Sequence, residues 1–187
     1  RTRVIFPGDQ KSVSVTLRND SQTQPYLAQA WIETNTGQKI TSPMTVLPPV
    51  QRVEPTGTGQ VKVQGMPTVA SLPQDRETMF YFNIREIPPK SNKPNVLQIA
   101  LQTRIKLFYR PGSLAGAPAE APKQLKWTAA TEQGHAVVHA NNPTPYFVSF
   151  NDAVLTSGGK RYEVSATMVA PFSDASFTVK GLQNAGA

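Results

Sequence analysis

The sequence predicts an all-β protein built as a sandwich, and three observations carry that expectation. Short alternating or β-branched segments recur along the 187-residue chain with turn signals between them. Proline is frequent, 17 residues against an average of about 5%, so almost no window of helical length is free of Pro, Gly or a β-branched cluster. Finally, Asn95 to Tyr109, NVLQIALQTRIKLFY, reads as one strand of roughly 15 residues, about two to three times the usual length.

The earlier strands follow in order. Val13 to Leu17 alternates and closes at Asn19-Asp20-Ser21. Tyr26 to Glu33 carries Leu27 and Trp31 and breaks at Asn35-Thr36-Gly37. Val61-Lys62-Val63 alternates and ends at Gly65, and the aromatic run Met79 to Ile84 stops at Pro88-Pro89. The pairs Pro48-Pro49 and Pro88-Pro89 mark rigid loops or strand crossovers, because proline fixes φ and donates no backbone hydrogen bond.

The long strand comes next. Its odd positions are Leu97, Ile99, Leu101, Thr103, Ile105, Leu107 and Tyr109, and its even positions are mainly Gln98, Ala100, Gln102, Arg104 and Lys106. Side chains alternate between faces of a strand, so an apolar row is backed by a polar one. The row spans on the order of 45 Å, more than a small sandwich needs for its own core. At a sheet edge such a row templates pairing with another chain. It therefore points to binding a partner's strand, and it also leaves self-association of the free form open.

After Tyr109 the texture changes. Residues 1–112 form an expected N-terminal domain, the Pro-, Gly- and Ala-rich stretch 113–122 an interdomain linker, and residues 123–187 a C-terminal domain. In the last, Ala136 to His139, Tyr146 to Phe150 and Ser176 to Lys180 are strand-like. This unit is short beside a sandwich of about 100 residues and ends without a closing strand. It is expected to be incomplete, with the chain continuing, and a removed leader upstream of Arg1 is compatible with its start.

The composition excludes several function classes. Zero Cys removes disulfides, thiolate metal sites and Cys nucleophiles from these residues. No apolar run approaches the ~20 residues of a membrane-spanning helix. The net charge of +7 fits acidic protein, membrane or nucleic-acid partners, yet the basic residues are scattered, so a solvated basic surface is expected and no nucleic-acid site. His135 and His139 would share a strand face roughly 13 Å apart, too far for one metal. No nucleophile elbow, zincin helix or phosphate loop occurs. Asp75-Arg76-Glu77 places two acids together, but a local salt bridge explains them as well as catalysis does. No enzyme, cofactor or metal is expected.

Several ordered motifs resemble the PapD-like periplasmic pilus chaperones of the chaperone–usher pathway. They are Pro25 to Trp31, Pro48 to Pro55, Leu72 to Glu77, Phe80 to Pro89, Asn95 to Pro111, Asn142-Pro-Thr-Pro-Tyr146 and, more loosely, Met168 to Phe172. The resemblance implies two immunoglobulin-like β-sandwich domains in an L shape, acting in the periplasm. It implies binding and capping of pilin subunits by donor-strand complementation and delivery to an outer-membrane usher.

In such chaperones the long strand fills the open groove of a subunit, which assigns Leu97, Ile99, Leu101, Thr103 and Ile105 as donor residues. Two basic residues hold the subunit's terminal carboxylate, and by motif these are Arg3 and Lys106. Glu77 and Arg110 match two members of an ionic triad that orients the domains, whereas its third member has no counterpart here. The short stretch from Pro88 to Asn95 resembles the short-loop branch, which serves rod-like pili. The alternative reading is an immunoglobulin-like adhesin or carbohydrate-binding module using loop aromatics such as Tyr146 and Phe147.

Overall fold

The structure, a computed structural model, describes residues 2–184 and 186 and divides into two compact units. One contains the chain up to Gln74 and Thr78–Ser113, the other Asp75–Glu77 and the chain from Leu114 onward.

The first unit is a two-sheet sandwich. Its larger sheet holds β1 (Arg3–Pro7), β3 (Tyr26–Thr34), β4 (Lys39–Ile40), β6 (Val50–Val53), β8 (Thr78–Ile87) and β9 (Leu101–Arg110) in the order β1-β9-β8-β3-β4, with β6 also paired to β3. The smaller sheet holds β2 (Ser12–Arg18), β5 (Met44–Leu47) and β7 (Thr58–Gly65) in the order β2-β7-β5. The alternation of each strand delivers one apolar face to the space between the sheets. Val4 and Phe6, Ala30 and Ile32, Val61 and Val63, Phe80 and Phe82, and Leu107 and Tyr109 form one buried cluster. Fully burying each of the larger ones contributes about 1.5–3 kcal/mol. Asn19 fastens the turn below β2, its Nδ2 donating to the carbonyls of Gln24 and Val53 at 2.8 and 3.1 Å.

The expected 15-residue strand is shorter. β9 starts at Leu101, and Asn95–Ala100 form no strand. The reason is pairing, not propensity. β8 reaches β9 only as far as Glu86 opposite Leu101, so upstream residues lack a ladder partner, and Asn95 turns the chain with a φ of 62°. On the other side β1 pairs in parallel with β9, Arg3 opposite Lys106 through Pro7 opposite Arg110. From Leu101 to Ile105 that side of β9 has no strand partner among the described residues.

The second unit is also β-rich. β10 (Lys126–Glu132), β11 (His135–Asn142) and β16 (Ser173–Thr178) form an antiparallel sheet, β12 (Val148–Ser149) pairs with β15 (Met168–Val169), and β13 (Val154–Ser157) forms a hairpin with β14 (Lys160–Glu163). From Leu114 onward the expected linker belongs to this unit: Ala121 is buried at the start of a one-turn helix and packs with Leu125, Tyr146 and Val148. Asn142 organises the loop after β11. Its Nδ2 donates to the carbonyls of Tyr146, Val169 and Ala170, while its Oδ1 accepts from the Thr144 N–H and hydroxyl.

Candidate functional site

The apolar row of β9 changes character along its length. Leu107 and Tyr109 belong to the first unit's core, and Ile105 packs against that core half-buried. Thr103 and Leu101 are exposed, and beyond the strand's start so are Ile99 and Leu97, the last three at 61, 63 and 84%. Parity explains the states within the strand: Leu101, Thr103, Ile105, Leu107 and Tyr109 share a face, and the core beneath that face thins toward Leu101, while Leu97 and Ile99 precede the strand. Thr103 and Ile105 line a cavity of about 520 Å³ between the two sheets, together with Leu17, Tyr26, Phe82 and Ile84. The cavity lies beside the segment of β9 where β1 has stopped. An open backbone edge, an apolar arm and a gap in the core thus occur together, an arrangement that can accept an added strand through main-chain hydrogen bonds and apolar side chains.

Arg3 and Lys106 are brought together by the parallel register of β1 and β9. Both project from the face opposite the core, because Val4 and Leu107, their neighbours in sequence, point inward. Burial, and secondarily the Arg3 guanidinium, hold the Lys106 ammonium below its usual pKa. Like charges on neighbouring strands are unfavourable, and an anion placed between them would relieve that repulsion while accepting charge-assisted hydrogen bonds from both.

Arg110 is the last residue of β9, whereas Glu77 lies just before β8. The Arg110 carbonyl accepts from the Gly8 N–H at 2.7 Å. Glu77 is 3% exposed within the second unit, where its N–H donates to the Pro145 carbonyl and its Oε1 accepts from the Phe147 N–H at 2.8 Å. Neighbouring Asp75 and Arg76 pair at 3.1 Å, and Arg76 lies 4.9 Å from the Phe172 ring centroid. Burial of Glu77 separates it from the exposed Asp75–Arg76 pair, which the sequence alone did not show.

The outer face of the larger sheet holds a network that sequence reasoning missed. Trp31 points away from the core yet is buried, with the Arg85 guanidinium at 5.2 Å and the Lys39 ammonium at 5.8 Å from its ring. Its Nε1 donates to Glu33, which also pairs with Arg104 at 3.1 Å, and Arg104 lies 3.7 Å over Tyr81. Beside them Gln102 donates to Asn83 Oδ1, while the fully buried Asn83 Nδ2 has no partner among the described residues. The even positions of the long strand and the odd positions of Tyr26 to Glu33 carried this signal, since they alternate with the core set.

In the second unit His135 and His139 share the outer face of β11, and His139 contacts Glu132 at 2.9 Å and Ser176 at 2.6 Å. Among the described residues no group of His, Cys, Asp and Glu side chains clusters as metal ligands. Tyr146, invoked for carbohydrate binding, is a core residue whose hydroxyl donates to the Gly116 carbonyl.

The fold and the site together present an apolar segment, open along one strand edge, next to a doubly basic position, the geometry of a surface that can accept an added strand. Comparison with known proteins gives the family. Residues 1–115 match the family of the pili and flagellar-assembly chaperone PapD, N-terminal domain, and residues 120–187 match the pili assembly chaperone PapD, C-terminal domain. The chain belongs to the PapD family of pilus-assembly chaperones. It is 60% identical over 159 residues to a probable fimbrial chaperone, YfcS, of Escherichia coli K12, a match covering 85% of this chain and 63% of that relative. A crystal structure of the YadV chaperone superimposes with a TM-score of 0.85 at 44% identity, over 98% of this chain and 84% of the other. The SafB chaperone of Salmonella enterica, solved in complex with the SafA pilin, gives a TM-score of 0.75 at 27% identity, over 96 and 82% of the two chains.

Proposed function

We propose that the protein is a periplasmic chaperone that binds, folds and caps pilin subunits by donating its own strand and then delivers them to an outer-membrane usher. The observation that carries this reading is the exposed row Leu97, Ile99 and Leu101 running into an open strand edge. A subunit groove closing over the row would bury three apolar side chains worth about 1.5–3 kcal/mol each, less the costs of ordering and association. Thr103 and Ile105 would extend the same row toward the cavity, and Arg3 with Lys106 would hold the subunit's terminal carboxylate. Glu77 and Arg110 are assigned to domain orientation. The family supports an assembly role without catalysis.

Co-expression with a fimbrial subunit tests the proposal. Wild-type protein should yield a stable complex, and a variant with Leu97→Ser, Ile99→Ser and Leu101→Ser should be folded yet retain no subunit. Equal subunit recovery from both proteins would refute strand donation.

A further inference from the structure

The outer face of the six-stranded sheet carries more positive charge than the carboxylate anchor accounts for. Arg3, Lys39, Arg52, Arg85, Arg104 and Lys106 all project from it, whereas the acids on that face are Glu33, paired with Arg104, and Glu54, paired with Arg52. Neighbouring strands are spaced by about 4.8 Å, so β1 to β4 spread these charges over roughly 20 Å. Several of the cations are held in place by aromatic rings: Arg85 and Lys39 flank Trp31, and Arg104 covers Tyr81. A ring beneath a guanidinium fixes its position while leaving its N–H groups directed outward.

We infer that this face is an interaction surface for an acidic protein partner, drawing the acidic flank of the bound segment toward the position of Arg3 and Lys106. The inference rests on the proposed strand donation and adds the chemical character of what is captured. A protein surface fits better than a lipid headgroup layer or a nucleic acid because the cations are interleaved with Trp31, Tyr81, Gln29 and Gln102 on a pleated face, which suits side-chain carboxylates presented at strand spacing. Long-range attraction acts on encounter, so its signature is a salt-dependent association rate. Lys39 lies about 15 Å from β9 across the sheet. At low ionic strength the Debye length reaches about 30 Å, and the whole face then contributes.

Two synthetic peptides separate this inference from the function it rests on. Both alternate apolar and polar residues and end in a free carboxylate; one has Asp and Glu at its polar positions, the other Asn and Gln. Binding of the amide peptide reports the edge strand and the anchor, and its failure to bind would overturn strand donation itself. The difference between the peptides reports the cationic face. At low salt the acidic peptide should associate about tenfold faster, and the advantage should vanish near 0.5 M salt. The double variant Lys39→Gln/Arg85→Gln should shrink the advantage and leave the amide peptide's rate unchanged. Equal rates for the two peptides at low salt, or a double variant with the full advantage, would overturn the inference. So would tighter binding to phosphatidylserine vesicles or duplex DNA than to the acidic peptide, because the face would then be a general polyanion site.

Discussion

Arg3 stands opposite Lys106 in the parallel ladder of β1 and β9, two like charges in register on adjacent strands. The same ladder ends where the exposed half of β9 begins, so one pairing sets both the basic position and the start of the open edge. A partner strand added along Leu101 to Ile105 would continue in the direction of this pair. In the proposed mechanism this geometry would tie the register of a captured strand to the point where its charged end is held.

Arg3→Ala and Lys106→Ala should each abolish subunit capture while leaving the fold intact, since both side chains project away from the core. Co-purification of a fimbrial subunit with each folded variant checks this. Normal subunit recovery from both would remove the pair from the binding site.

The depressed pKa of Lys106 gives capture an alkaline limit. A bound carboxylate favours the charged ammonium, so affinity should be full while Lys106 of the subunit-free protein is protonated and fall as pH rises through its lowered pKa, starting below the ordinary lysine value of 10.5. Lys106→Arg should hold its affinity across that range, because guanidinium stays charged. Titration of peptide affinity between neutral and alkaline pH checks the sign, and parallel pH profiles for the two proteins would exclude Lys106 as the anchor.

Leu101→Glu should block complex formation and leave the melting temperature of the free protein near the wild-type value, because the side chain is exposed before binding. Placing a charge in an apolar groove costs several kcal/mol unless it is paired or neutralised. Ile105→Ala should behave differently, lowering stability by about 2 kcal/mol through lost packing against the first unit's core. Gln102→Glu lies on the other face, where an amide rotation of Asn83 would offer its unpartnered Nδ2 to the new carboxylate, so fold and capture should survive. Thermal melts and subunit co-purification on the three variants decide between these outcomes.

Much of this was legible in the sequence, and what was not has physical causes. The parity of Asn95 to Tyr109 identified which side chains share the apolar row, since alternation is a local property. The strand's true start was not legible, because it depends on where β8 ends. The parallel pairing of Arg3 with Lys106 joins residues about a hundred positions apart, and only the family resemblance put them together. Asp75–Glu77 read as part of the first domain, yet the hydrogen bonds of Glu77 to Pro145 and Phe147 bind it to the second unit. The β13–β14 hairpin carries its signal in Gly158-Gly159, where both residues adopt positive φ.

Asn142→Ala should destabilise the second unit by about 3 kcal/mol, since it strands buried carbonyls and removes the acceptor of Thr144. Denaturant unfolding followed by Trp127 fluorescence reports this unit. An unchanged midpoint would mean that solvent satisfies the loop without Asn142.

Hydrogen exchange along Leu97 to Thr103 tests strand donation most directly. In the free protein these amides should exchange rapidly where no ladder partner holds them, and in the subunit complex they should become protected along one continuous stretch. A stable complex in which the amides of Leu97, Ile99 and Leu101 exchange as fast as in the free protein would contradict the mechanism.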